Sequence, residues 1–383
     1  MTPSLFTQRL QAWLAFGTWI WMLGTARLWF VLDRPEPIPL LVPWPSWLHI
    51  VGTAVLAGAA TLLAFRPRHR RAQLVLAGTL IVMMLCDQLR AQPITLLLTL
   101  AGFVLFFARR LDGRAGDRMA SDALRIGLAG FYVALAIARL EPSFTGETAA
   151  TVLRQMGVLR PAGWQQLLLA LPLIALPLAA AWALVAQHRR GALLAWLTHA
   201  MALAVAGTAE DPAAPTVHVV TGALLALLLY RSPSPKDLLK RTGTPGLRWV
   251  LAGSLLFALV HALGLLRPVP GESATGSGFV VIQGAWSGWE GAAPDRRQAL
   301  VMAATDASGP WVVDADATAR RVFGVRAPGD ALALRRLHAR ACAHGEAFLI
   351  RIERATRWSS ASSVVSRRCS GEERRAEAPP FLR

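Results

Sequence analysis

The sequence predicts a mainly α fold: a polytopic membrane helical bundle of about nine spans, followed by a small α+β extracytoplasmic domain. Three observations predict it. Of 383 residues, 54% are hydrophobic and only 16% charged, a balance too apolar for an ordinary soluble domain. The apolar residues fall in successive runs long enough to cross a bilayer. The basic residues gather in the short segments between those runs, where Lys and Arg set the orientation of membrane helices. That placement accounts for the formal net charge of +17 without a nucleic-acid partner.

In chain order, Arg9 precedes the apolar run Leu10–Leu32, which no small-residue cleavage site follows, so the sequence predicts an uncleaved helix. Further spans are expected at Trp47–Phe65, Ala72–Arg90, Pro93–Ala108, Asp122–Leu140, Gln165–Gln187, Gly191–Ala206, Pro215–Tyr230 and Trp249–Leu266. Several lie at the short end of the spanning range, which leaves a re-entrant segment as an alternative. The loops after the second, fourth, sixth and eighth runs hold 15 Arg and Lys, the alternate loops only 5. The bias predicts a cytoplasmic amino terminus and, with an odd span count, an extracytoplasmic carboxyl terminus in an inner membrane. Within Glu147–Val158, Thr151, Val152 and Met156 share one face of a short surface helix.

Beyond Arg267 the character changes. Residues 1–267 form the membrane domain, 268–278 a Pro, Gly and Ser linker, 279–370 the small α+β domain and 371–383 a loose tail. Phe279–Ile282, Ala299–Ala303 and Trp311–Val313 read as short strands. Asp330–His344 has helical spacing, and Phe348, Ile350 and Ile352 alternate with polar neighbours as in a half-buried strand. Cys342 and Cys369 both fall in this outer domain, where an oxidising compartment pairs cysteines. Cys86 lies in an apolar run and reads as a small buried hydrophobe.

The polar residues inside or beside apolar runs are the candidate site. Cys86-Asp87-Gln88-Leu89-Arg90-Ala91-Gln92-Pro93 joins two spans with an acid, a base and two amides. Lipid penalises such groups unless they pair or reach water. On the predicted topology Arg27, His49, Asp87, Gln88, Arg90, Gln92, Arg139, Glu141, His218 and His261 gather in the outer half, with His199 nearer mid-membrane. Each has a plain alternative. Arg27 can snorkel, His49 can join an interfacial belt with Trp44 and Trp47, Asp87 and Arg90 can be a structural ion pair, and His218 or His261 can be satisfied packing residues. Asp87 and Arg139 are expected to share one polar network. The histidine spacing matches no metal-ligand motif, so no metal site is expected. No phosphate loop or nucleophile elbow is present, and no cofactor is indicated.

The segment Phe131-Tyr132-Val133-Ala134-Leu135-Ala136-Ile137-Ala138-Arg139-Leu140-Glu141-Pro142-Ser143-Phe144 resembles the vitamin K-dependent γ-carboxylase superfamily and its bacterial horizontally transferred transmembrane (HTTM) domains. There an aromatic and small-residue helix ends in Lys-Leu, followed by a polar residue and an aromatic. The turn from Asp87 to Pro93 is similar to one in bacterial relatives. The resemblance implies a shared scaffold over about Leu10–Ala175. It also marks a departure: Arg139 stands where those carboxylases carry the lysine base, and the turn lacks their Asn-His pair. Arg does not deprotonate in proteins, and the two lysines, Lys236 and Lys240, lie in a predicted cytoplasmic loop. The expectation is therefore a binding or accessory membrane protein without carboxylase activity, holding a quinone-like or other amphipathic ligand in a polar outer-leaflet pocket. The alternatives are a membrane enzyme using Asp87 or His199 as a base, and a bundle that only anchors the outer domain.

Overall fold

The computed structural model describes residues 4–30, 46–66, 69–87, 90–111, 113–140, 149–186, 191–208, 214–231, 244–262, 278–283, 311–314, 338–339, 342, 346–354 and 362–377. It is mostly helical. Among the described residues three helices are long and apolar enough to cross a membrane, at Trp47–Phe65, Gly113–Ile137 and Gly163–Ala186.

The chain begins with α1 (Leu5–Gly24), capped by Ser4, whose side chain accepts from the Thr7 amide. The expected run to Leu32 breaks at Thr25, which leaves helical geometry at φ −123° and hands over to the short α2 (Ala26–Trp29). Hydropathy cannot register that break, because both sides are equally apolar. Next come α3 (Ser46–Phe65), α4 (Arg70–Cys86) and α5 (Pro93–Ala108). α4 stops at Cys86 rather than Arg90, because Asp87 is extended at φ −151° and ψ 111°. Gln92 is likewise extended, as a residue before proline must be, and Pro93 takes the first position of α5.

α6 (Gly113–Arg139) starts nine residues before the expected Asp122. Its first turns carry Arg114, Asp117 and Arg118, so the apolar signal begins later than the helix. α7 (Ala149–Gln155) is the expected short helix. Val152 is buried against Ala170 and Leu173 of the following helix, whereas Met156 is exposed. α8 (Gly163–Ala186), α9 (Gly191–Thr208), α10 (Ala214–Ala226) and α11 (Pro245–Ala262) complete the helices, with a π-helical turn, Leu227–Arg231, prolonging α10.

α6 is the hub. Of its apolar window 83% is buried, against 33% for α3 and 39% for α8. The outward faces of α3 and α8 carry Trp47, Ile50, Leu167, Leu168, Leu171 and Trp182, all exposed. Apolar surface of that extent is unstable in water and ordinary against lipid tails. Close approaches are made at glycines: a Cβ on Gly130 of α6 would lie 2.7 Å from Ser254 of α11, and one on Gly24 of α1 would clash with Thr216 of α10.

Contacts define the two ends of the bundle. At one end Asp117 of α6 accepts from the hydroxyls of Ser4 and Thr7. At the other, Gly24 meets Thr216 and Gly52 meets Met83. The second is the Asp87 end.

The carboxyl-terminal strands are β1 (Gly278–Gln283), β2 (Trp311–Asp314), β3 (Glu346–Arg354), β4 (Ser362–Arg368) and β5 (Glu373–Glu377). They form an antiparallel sheet in the order β2-β1-β3-β4-β5. The expected loose tail is corrected here, since Glu373–Glu377 pairs with β4 as an edge strand. Its sequence, ERRAE, has no apolar alternation to betray it. The β4–β5 turn works because Gly371 adopts φ +86°. Cys342 and Cys369 are bridged, as expected, tying the end of β4 to the segment before β3. The predicted strand at Ala299–Ala303 and most of the predicted helix at Asp330–His344 lie outside the described residues.

Candidate functional site

At the Asp87 end Arg90 is a junction. Its side chain is 1% exposed. One guanidinium nitrogen donates to the Leu28 carbonyl of α2 at 2.9 Å. Another lies 3.2 Å from Nδ1 of His49 on α3. Nε is 3.8 Å from the Asp87 carboxylate, and the guanidinium stacks 4.7 Å from the Trp29 ring centroid. Arginine only donates, so His49 Nδ1 must accept, which places the proton of a neutral ring on Nε2. The cation thus ties α2, α3 and the α4–α5 turn together. This is the geometry of a latch, with the head of Arg90 turned inward onto protein groups.

A second group lies along α6. Arg125, Tyr132 and Arg139 recur every seven residues, two helical turns apart on one face, and all three are buried. Arg125 donates to the Leu228 carbonyl in the π-helical turn at 2.7 Å. The Tyr132 hydroxyl is 2.7 Å from Nε2 of His199 on α9. Nδ1 of His199 is 3.1 Å from Nδ1 of His218 on α10. Nε2 of His218 is buried and has no hydrogen-bond partner among the described residues. Arg139 lies near enough for its charge to act on both rings.

Proton counting gives this chain a direction. If Tyr132 donates to His199 Nε2, the His199 proton sits on Nδ1 and is donated to His218 Nδ1. The His218 proton is then on Nε2, and that N–H is the single unsatisfied group. In the opposite sense both the Tyr132 hydroxyl hydrogen and the His218 Nε2 lone pair lack partners. A buried unsatisfied polar group costs about 1–3 kcal/mol, so the first arrangement is the stable one. It leaves one buried N–H donor without an acceptor among the described residues.

Arg139 has a further role that proline chemistry explains. α8 contains Pro172 and Pro177. Proline has no N–H, so Pro177 gives nothing to the carbonyl four residues earlier, that of Leu173. Arg139 donates to that carbonyl at 2.8 Å. Arg139→Met is expected to lower stability by about 1–3 kcal/mol through the orphaned carbonyl. Pro177→Ala restores an N–H in α8, so the double mutant should lose measurably less than Arg139→Met alone in detergent melting. An equal loss with and without Pro177 would remove this explanation.

The sequence-predicted residues therefore fall into groups. Asp87, Arg90 and His49 meet at the latch. His199 and His218 meet with Tyr132 beside Arg139. Among the described residues no ion pair or hydrogen bond joins Asp87 directly to Arg139. Gln92 is half-buried, and its backbone N–H donates to the Arg90 carbonyl. Gln88 and Glu141 lie outside the described residues, as do the side chains of Arg27 on α2 and His261 on α11.

Sequence reading missed Tyr132 as a site residue, although its spacing of seven from both arginines was a usable signal. It also missed Asp117 and Arg125, and the fully buried amides of Gln11 and Gln73. Outside the bundle, His338 Nε2 lies 3.5 Å from Cys342 Sγ. With Cys369 these atoms cluster as metal ligands do, but the disulfide consumes the thiolates a metal would need. No protein-family model, curated protein or solved structure matches this chain.

Proposed function

We propose that the protein is an integral membrane binding or accessory protein that holds an amphipathic, quinone-like ligand among α6, α9 and α10, with an oxygen of its head group accepting from His218. One observation carries this reading: among the described residues, His218 Nε2 is the one unsatisfied atom of a buried Tyr132–His199–His218 chain. An acceptor oxygen relieves the penalty of that N–H. The positive charge of Arg139 nearby favours an electron-rich group. Ionisable groups inside a membrane bundle are costly, which makes a buried cluster of them a candidate ligand site.

The proposal includes the wider setting. About nine spans cross the inner membrane, with the amino terminus cytoplasmic and the sheet domain outside. The arginine-rich segments support it, since those carrying Arg66, Arg70, Arg109, Arg110, Arg114 and Arg118 adjoin the bundle end that holds Asp117. The Asp87 end, with His218 near it, is then the outer one. The scaffold is HTTM-like and lacks γ-carboxylase activity. Arg139 is occupied with the Leu173 carbonyl and does not release a proton as a base must.

A thermal-shift titration with decylubiquinone tests the binding. Wild-type protein should melt at progressively higher temperature as the quinone is added. His218→Phe keeps a ring of similar size and removes the donor, and its shift should vanish. An equal shift in both proteins would remove His218 from the site.

A further inference from the structure

We propose that a groove between α1 and α10, on a face that the His218 site does not use, binds one anionic phospholipid, with an acyl chain along the groove and the phosphate on Arg9. The groove encloses about 670 Å³. Its bed is made of small residues, Ala12, Gly17, Ala223 and Ala226, and its rims are Phe16, Ile20 and Val219. The two helices are pinned together beneath it, because Trp13 Nε1 donates to the Val220 carbonyl at 2.8 Å. A Cβ on Gly17 would lie 3.1 Å from Val220, so the helices pack closely there and the hollow lies outside the contact.

Length and charge identify the occupant. From Arg9 to Ile20 the groove runs about 16 Å at ~1.5 Å per residue. That matches one leaflet, about half of a ~30 Å hydrocarbon core. Every lining residue is apolar or small except Arg9. Among the described residues Arg9 has no hydrogen-bond or ion-pair partner, although it sits on α1 between Thr7 and Gln11, both buried. A planar guanidinium with free donors at the end of an acyl-length groove suits a phosphate, which it can bind in a bidentate fashion. Arg9 lies at the Asp117 end of α1, where headgroup phosphates of the adjoining leaflet reside. Arg231 ends the π-helical turn that begins at the lining residue Leu227, and a second cation besides Arg9 on the chain that walls the groove favours an anionic headgroup over a zwitterionic one.

The test mixes purified full-length protein with equal amounts of phosphatidylglycerol and phosphatidylcholine of identical acyl chains and counts bound lipid by native mass spectrometry. Wild type should retain one phosphatidylglycerol in preference to phosphatidylcholine. Arg9→Gln should lower that preference about fivefold, the factor one basic residue contributes at an anionic surface. Ala223→Trp, at an exposed position on α10, should fill the groove and remove the retained lipid of either kind. No preference in wild type, or the same preference in Arg9→Gln, would overturn the proposal.

Discussion

Replacing Arg90 with leucine is expected to destabilise the bundle by about 3–5 kcal/mol, the usual consequence of removing one member of a buried ion pair. Hydrogen bonds between neutral groups on membrane helices average only about 0.6 kcal/mol, so a polar contact alone would not justify that figure. Arg90 differs in carrying a full charge at 1% exposure and in serving several partners at once. Its loss strips the Leu28 carbonyl and His49 Nδ1 of their donor and leaves the Asp87 carboxylate without its cation. Lysine should rescue only part, because an ammonium is a point charge and cannot fork between α2 and α3. The double mutant Asp87→Leu with Arg90→Leu should lose less than the sum of the singles, since paired residues couple by about 0.5–3 kcal/mol. Denaturant midpoints in detergent measure all three. A wild-type midpoint for Arg90→Leu would show that the latch holds nothing.

Cys369→Ser is expected to lose about 3–4 kcal/mol from the sheet domain. The bridge to Cys342 spans 27 residues, and closing a loop of that length in the unfolded chain contributes about this much by the chain-entropy estimate. The bond joins the end of β4 to the approach of β3, so hydrogen exchange should accelerate in those two strands. Non-reduced peptide mapping of freshly isolated wild type should recover the Cys342–Cys369 linkage. Two alkylatable thiols there would contradict it.

Most helices were legible because their segments are apolar almost throughout, the pattern that lipid requires of a spanning helix. Pro93–Ala108 was read to the residue, because proline starts it and arginine ends it. α6 was legible only from Asp122 onward, since its first turns are polar and the helix is held by tertiary contacts such as those of Ser4 and Thr7 with Asp117. The break at Thr25 and the strand Glu373–Glu377 were invisible for a shared reason: neither changes hydropathy. The candidate site was half legible. An unusual residue in an apolar run announces itself, which found Asp87, Arg90, Arg139, His199 and His218. Which of them meet depends on helix rotation about its axis, and hydropathy does not report rotation. Seven-residue spacing along α6 does report it, and that pattern leads from Arg139 to Tyr132. The Leu173 carbonyl was beyond any side-chain reading, although Pro177 marks its vacancy four residues away.

The most direct test of the central claim is photolabelling with an azido-quinone, followed by peptide mapping. Label should concentrate in Ala214–Ala226 and Gly191–Thr208, the helices carrying His218 and His199, and be suppressed by excess unlabelled decylubiquinone. Label spread over the lipid-exposed faces of α3 and α8, undiminished by competitor, would contradict it.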